Sequence, residues 1–124
     1  MDNLTLTQTN ETPAVELSAK EGKFSFSGKS YPENVNEFYS EILKYLNTYA
    51  QDPTEKTTLI FNFLYYNTAT SKIIVKIIME LRSVLSKGKQ FQIKWICKSN
   101  DELMKEKGEE LKDLLDVDFG IIHE

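Results

Sequence analysis

Cysteine is nearly absent: Cys97 stands alone, which excludes an internal disulfide. Histidine is equally scarce, and the single ring, His123, is next to last. At a chain end it reads as solvated, with no partners for metal ligation or acid–base work. Five glycines are too scattered for a GxGxxG or GxxxxGK[ST] phosphate cradle. No stretch approaches the 18 apolar residues of a membrane span, and "MDNLTLTQTN" has neither the basic nor the apolar region of a signal peptide. Fifteen basic against 19 acidic residues give a net charge of −4, and no basic run offers a surface to nucleic acid. These absences point to a cytoplasmic domain with no membrane or nucleic-acid partner, no bound metal or cofactor, and no enzymatic constellation.

What remains is patterned. Residues 1–12 are rich in Thr and Asn and read as a flexible N-terminal arm; residues 13–124 read as one domain. "AVELSAKEGKFSFSG" alternates on both sides of a Gly-containing turn, which predicts a hairpin. "SYPENVNEFYSEILKYLNTYA" changes to three- and four-residue steps, which predicts an amphipathic helix capped near Asn34. "KTTLIFNFL" (56–64) is the next strand, and 69–87 a second helix with Ile73, Ile74, Ile77, Ile78, Leu81, Val84 and Leu85 as its buried stripe. "KQFQIKWIC" alternates, with Trp95 and Cys97 on its apolar face. "SNDELMKEKGEELKDLLD" predicts a third helix capped by Ser99 or Asn100, with Leu103, Met104, Leu111, Leu114 and Leu115 inward. "DFGIIHE" closes as a short strand. The order β-β-α-β-α-β-α-β is an α/β class: a mixed sheet with packed helices.

Candidate chemistry is sparse. Cys97 on an apolar face reads as a small hydrophobe. Asp113, Asp116 and Asp118 lack the glycine and ligand alternation of a calcium loop. One junction stands out: "FNFLYYNTATSK" passes from strand to helix through Asn67, Thr68, Ala69, Thr70 and Ser71. Taken structurally, Asn67 or Thr68 is an N-cap and Thr70 and Ser71 are solvent-facing first-turn residues. Taken functionally, the junction displays a hydroxyl that a phosphate would convert into a dianion, stabilised by the helix N-terminus and by Lys72 one turn on. A partner docked there would be repelled.

Three stretches carry a resemblance. "TPAVELSAKEGKFSFSGKSYPEN" (12–34), "FLYYNTATSK" (63–72) and "KGKQFQIKWICKSNDELMKEKGEEL" (87–111) resemble the SiaC family of bacterial regulatory phosphoproteins, STAS-like relatives of anti-sigma-factor antagonists. The resemblance implies a STAS-like fold. It also implies phosphorylation on Thr68, the threonine after the asparagine, with Thr70 and Ser71 as secondary acceptors. It further implies a Ser/Thr kinase of the histidine-kinase-like ATPase type, a PP2C-type phosphatase, and a diguanylate cyclase activated by the unphosphorylated form, a route to cyclic-di-GMP output and biofilm behaviour. Partner docking is expected over Tyr65, Tyr66, Asn67, Ala69, Thr70, Ser71 and Lys72, with one tyrosine in the core and the other on the surface because neighbours in a strand point to opposite faces. Two alternatives stay open: an antagonist in a sigma-factor pathway, and a small phosphate-ligand binding module.

Overall fold

A computed structural model describes all 124 residues. Six strands, β1 (Leu4–Leu6), β2 (Ala14–Ser18), β3 (Lys23–Ser30), β4 (Lys56–Tyr66), β5 (Gln90–Cys97) and β6 (Asp118–His123), form one sheet in chain order. Three helices connect the later strands: α1 (Val35–Gln51), α2 (Thr68–Arg82) and α3 (Glu102–Leu114). The expected mixed sheet with packed helices is what is found. β1, β2 and β3 pair antiparallel, and β3 to β6 pair parallel.

The arm departs from expectation. Leu4, Thr5 and Leu6 pair with Leu17, Glu16 and Val15, and Leu4 and Leu6 pack on the core. Two leucines at alternate positions suffice for a short edge strand, although the surrounding polar residues hide the signal. At the next turn Gly22 has φ +66° and abuts Thr54 and Lys56, so the glycine expected in the hairpin turn meets both a conformational and a spatial demand.

Only one sheet face is covered. Phe24, Leu59 and Ile93 lie side by side across β3, β4 and β5, as do Phe26, Phe61 and Trp95, and all six are buried. Tyr45 and Tyr49 of α1 pack edge-on against Phe24, α2 packs on α1, and α3 meets Trp95. The opposite face carries Ser25, Ser27, Thr58, Asn62, Gln92 and Lys94, all half-buried. Period-two alternation in each strand thus places all three crossovers on the same side.

The helix boundaries refine the sequence reading. Asn34 caps α1, accepting from Glu37 N at 3.1 Å. α2 ends at Arg82 and tightens into a 3₁₀ turn over Ser83–Lys87. That rotation exposes Leu85, expected inward, while Val84 stays buried. α3 is capped by Asp101, whose carboxylate accepts from Met104 N at 3.0 Å, and not by Ser99 or Asn100. Leu103 and Leu114, expected inward, are exposed; of that stripe Met104 is buried, and Leu111 and Leu115 are half-buried. The cap lies one or two residues later than expected, and the inward face is set by Met104, Gly108 and Leu111.

Candidate functional site

The junction is shaped by an irregularity in β4. Phe63 pairs with Gly28 but Tyr65 pairs with Lys29, so Leu64 is an extra residue on β4, a β-bulge that resets the alternation. Leu64 and Tyr65 both face out, each 46% exposed, and Tyr66 turns inward at 5%. The expectation of one core and one surface tyrosine is met, and the bulge decides which is which. Tyr65 packs edge-on against Tyr31 at 5.9 Å, while the Tyr66 ring packs against Phe63 and Trp95.

Asn67 then starts α2. Its side-chain oxygen accepts from Thr70 N at 2.9 Å, and its own N–H donates to Ser30 O at 3.2 Å. That arrangement leaves Thr68 as the first helical residue, exposed. Ala69 is also exposed, and Ser71 is half-buried, its hydroxyl donating to the Thr68 carbonyl at 2.6 Å. Thr70 overturns the solvent-facing reading: it is fully buried. Its hydroxyl donates to Ser30 O at 3.0 Å and lies 3.0 Å from Ser30 Oγ, which lies 2.7 Å from Tyr39 OH. This chain of hydroxyls ties α2, β3 and α1 together. It leaves no buried side-chain polar atom unpaired, as a buried network requires. Burial pushes the Tyr39 hydroxyl up to about 12, against a smaller opposing effect of the Ser30 bond. A phosphate on Thr70 would have to break this network in the core.

Beside Thr68 lies a groove of about 550 Å³ between α2 and α3. Of the predicted residues, Tyr65, Tyr66, Asn67, Thr68, Ser71 and Lys72 line it; Ala69 and Thr70 do not. The far wall, unforeseen from sequence, comes from α3: Lys107, Glu110, Leu111 and Leu114. Lys107 Nζ sits 4.2 Å from the centre of the Tyr66 ring, a cation–π contact. Burial, and then the Glu110 carboxylate, push the Tyr66 hydroxyl up to about 12. The charges of α3 were legible as the solvated face of a helix, whereas Leu114 was expected inward; only the sheet brings this wall opposite Thr68. Ser30 and Tyr39 were likewise missed as parts of the site, the sole signal being Ser30 at the head of "SYPEN".

Other candidates hold no chemistry together. Cys97 is buried, its Sγ 3.7 Å from His123 Nδ1, and burial, reinforced by Asp101, pushes its thiol pKa up, away from thiolate reactivity. No three His, Cys, Asp or Glu side chains are grouped to hold a metal ion, and no helix is long and apolar enough to cross a membrane.

The fold and the junction define a class: a small α/β domain, covered on one sheet face, that displays a threonine hydroxyl at a helix start beside an amphipathic groove. The chain belongs to the SiaC family of regulatory phosphoproteins, whose sequence profile matches residues 6–124. A protein of Pseudomonas aeruginosa (strain UCBPP-PA14) is 26% identical over 121 residues, spanning 98% of this chain and 96% of its own. The crystal structure of apo-SiaC from Pseudomonas aeruginosa superposes with a TM-score of 0.88 at 25% identity, over 98% of this chain and 99% of that one. SiaC in complex with the diguanylate cyclase SiaD, of which it is the activator, superposes with a TM-score of 0.91 at 26% identity, with coverage of 98% and 99%.

Proposed function

We propose that this chain is a non-enzymatic, cytoplasmic switch protein of a bacterial signalling pathway, toggled at Thr68. A Ser/Thr kinase of the histidine-kinase-like type adds the phosphate and a PP2C-type phosphatase removes it. The unphosphorylated form binds and activates a diguanylate cyclase, and cyclic-di-GMP output follows. The observation that carries the reading is the position of Thr68: exposed, first in α2, and on the rim of the groove. The neighbouring hydroxyls support it by contrast, since Thr70 is fully buried and Ser71 is engaged with the Thr68 carbonyl. Membership of a phosphoprotein family and the activator role of SiaC toward SiaD support the partner class.

Phosphorylation adds about −1.5 to −2 charges and three acceptor oxygens at pH 7. The helix start and Lys72 tolerate that charge within the domain, whereas an apposed partner would desolvate it. The docking surface runs from Tyr65 across Thr68 to Lys72. Thr68→Asp is expected to weaken cyclase binding about tenfold or more, equivalent to about 1.4 kcal/mol, and Thr68→Ala to abolish phosphorylation while retaining binding. Incubation with the kinase and ATP, followed by mass-spectrometric mapping, tests the assignment. Phosphate found only at other residues would refute it.

A further inference from the structure

Two ammonium groups and one carboxylate line the groove beside Thr68: Lys72, Lys107 and Glu110. Neither lysine has a carboxylate oxygen within 4.0 Å, the one such ion pair being Lys89–Glu55, at the opposite end of the parallel strands. Lys107 instead rests over the Tyr66 ring. A cation–π contact at a half-open site holds a lysine more weakly than a phosphate dianion would. Lys107 is therefore a half-buried cation with a partner it can exchange. It faces the groove from α3, while Thr68 and Lys72 face it from α2, one turn apart and on the same side of that helix. The groove carries a net formal charge of +1 without phosphate and about −1 with it.

We propose that Lys107 is the receptor for the Thr68 phosphate: on modification its ammonium leaves the Tyr66 ring and pairs with the phosphoryl oxygens, with Lys72 as the second cation. The inference rests on the Thr68 reading and adds its structural consequence. α2 packs on α1 and β4, whereas α3 packs on β4, β5 and β6. A phosphate held from both sides ties the two helices directly across the groove. The modification then acts twice, by placing charge on the docking surface and by filling the groove from within. Lys107 is a positioning residue here, and no bond is made or broken at it.

The test uses the full chain with phosphothreonine installed at position 68 by semisynthesis, so that it does not depend on finding the kinase. The readout is the second pKa of the phosphate, followed by ³¹P NMR. An adjacent ammonium favours the dianion and lowers that pKa. The other titratable groups on the lining, Tyr65, Tyr66, Lys72 and Glu110, are common to all variants. Lys107→Gln is expected to raise the phosphate pKa by about 0.5 or more relative to the parent phosphoprotein. Lys107→Arg should restore the low value, and Lys112→Gln, exposed on the same helix and off the groove lining, should leave it unchanged. Equal phosphate pKa values in the parent and the Lys107→Gln phosphoprotein overturn the receptor role. The kinase-mapping experiment can fail independently: phosphate at another residue removes the switch at Thr68 even if an installed phosphate is held by Lys107.

Discussion

Replacing Gly108 by alanine sets two familiar effects against each other. Gly108 is buried inside α3, where Gly→Ala ordinarily stabilises a helix by about 1 kcal/mol. Here a Cβ would stand 2.5 Å from Trp95 Cδ1 and 2.7 Å from its Nε1, so helix or ring must move by about 1 Å to reach ordinary contact. Trp95 has little room to yield. It is 1% exposed, meets Phe61 and Tyr66 edge-on, and stacks on Phe119. Overpacking of this kind costs about 1–3 kcal/mol. Displacing α3 also stretches the 3.0 Å bond from Trp95 Nε1 to Met104 O, worth about 1 kcal/mol. The propensity gain offsets only that last amount, so Gly108→Ala should destabilise by about 1–3 kcal/mol. Urea titration followed by fluorescence reads this well, because Trp95 is the only tryptophan; the midpoint should fall by about 1 M for an ordinary slope. A variant as stable as the parent, or more so, would mean that α3 can retreat at no cost and would refute the reasoning.

Three further outcomes follow from the junction and its support. Asn67→Ala removes the acceptor for Thr70 N and should cost about 1 kcal/mol in chemical denaturation. Thr70→Val keeps the volume but deletes the hydroxyl that serves Ser30; it should cost about 1–2 kcal/mol while phosphate incorporation, measured by mass spectrometry, is unchanged. The hydroxyls of Tyr39 and Tyr66 are held up at about 12 from an ordinary 10. The folded state keeps these protons more tightly than the unfolded chain does, so their contribution is fully present below pH 10 and lost as pH rises toward 12. Thermal melts across that window should fall with pH, and Tyr39→Phe should flatten the decline.

Much of this architecture was written in hydrophobic period. Strands at 56–64 and in "KQFQIKWIC" alternate cleanly because one sheet face is dry and the other wet, and the amphipathic stripe of α1 is set by Tyr39, Ile42, Leu46 and Tyr49. Features that depend on a neighbouring strand were not legible. The bulge at Leu64 exists only relative to β3, so strict alternation could not say which tyrosine turns in. Thr70 looks like any first-turn hydroxyl until Ser30, forty residues away, is found against it. The near wall of the groove was readable because it is contiguous in sequence; the far wall belongs to α3 and arrives only through the sheet. Leu103 and Leu114 show the reverse error: the face of α3 that meets Trp95 is centred on Met104 and Gly108, and both leucines lie to one side of it and stay exposed.

The order of the strands bears on how the chain reaches this state. Each strand pairs only with its predecessor and its successor, so none must be threaded between two that have already joined. The parallel crossovers bring together residues 26 to 36 apart, and the closure entropy of such loops differs little from one to the next. The sheet can lengthen at a single growing edge as the chain emerges from the ribosome, the β1–β3 meander serving as the first template. Thr68 and the hydroxyls beneath it are in place once β4 and α2 have added to that edge. The α3 wall of the groove is synthesised last, so a nascent chain offers the threonine before it offers Lys107.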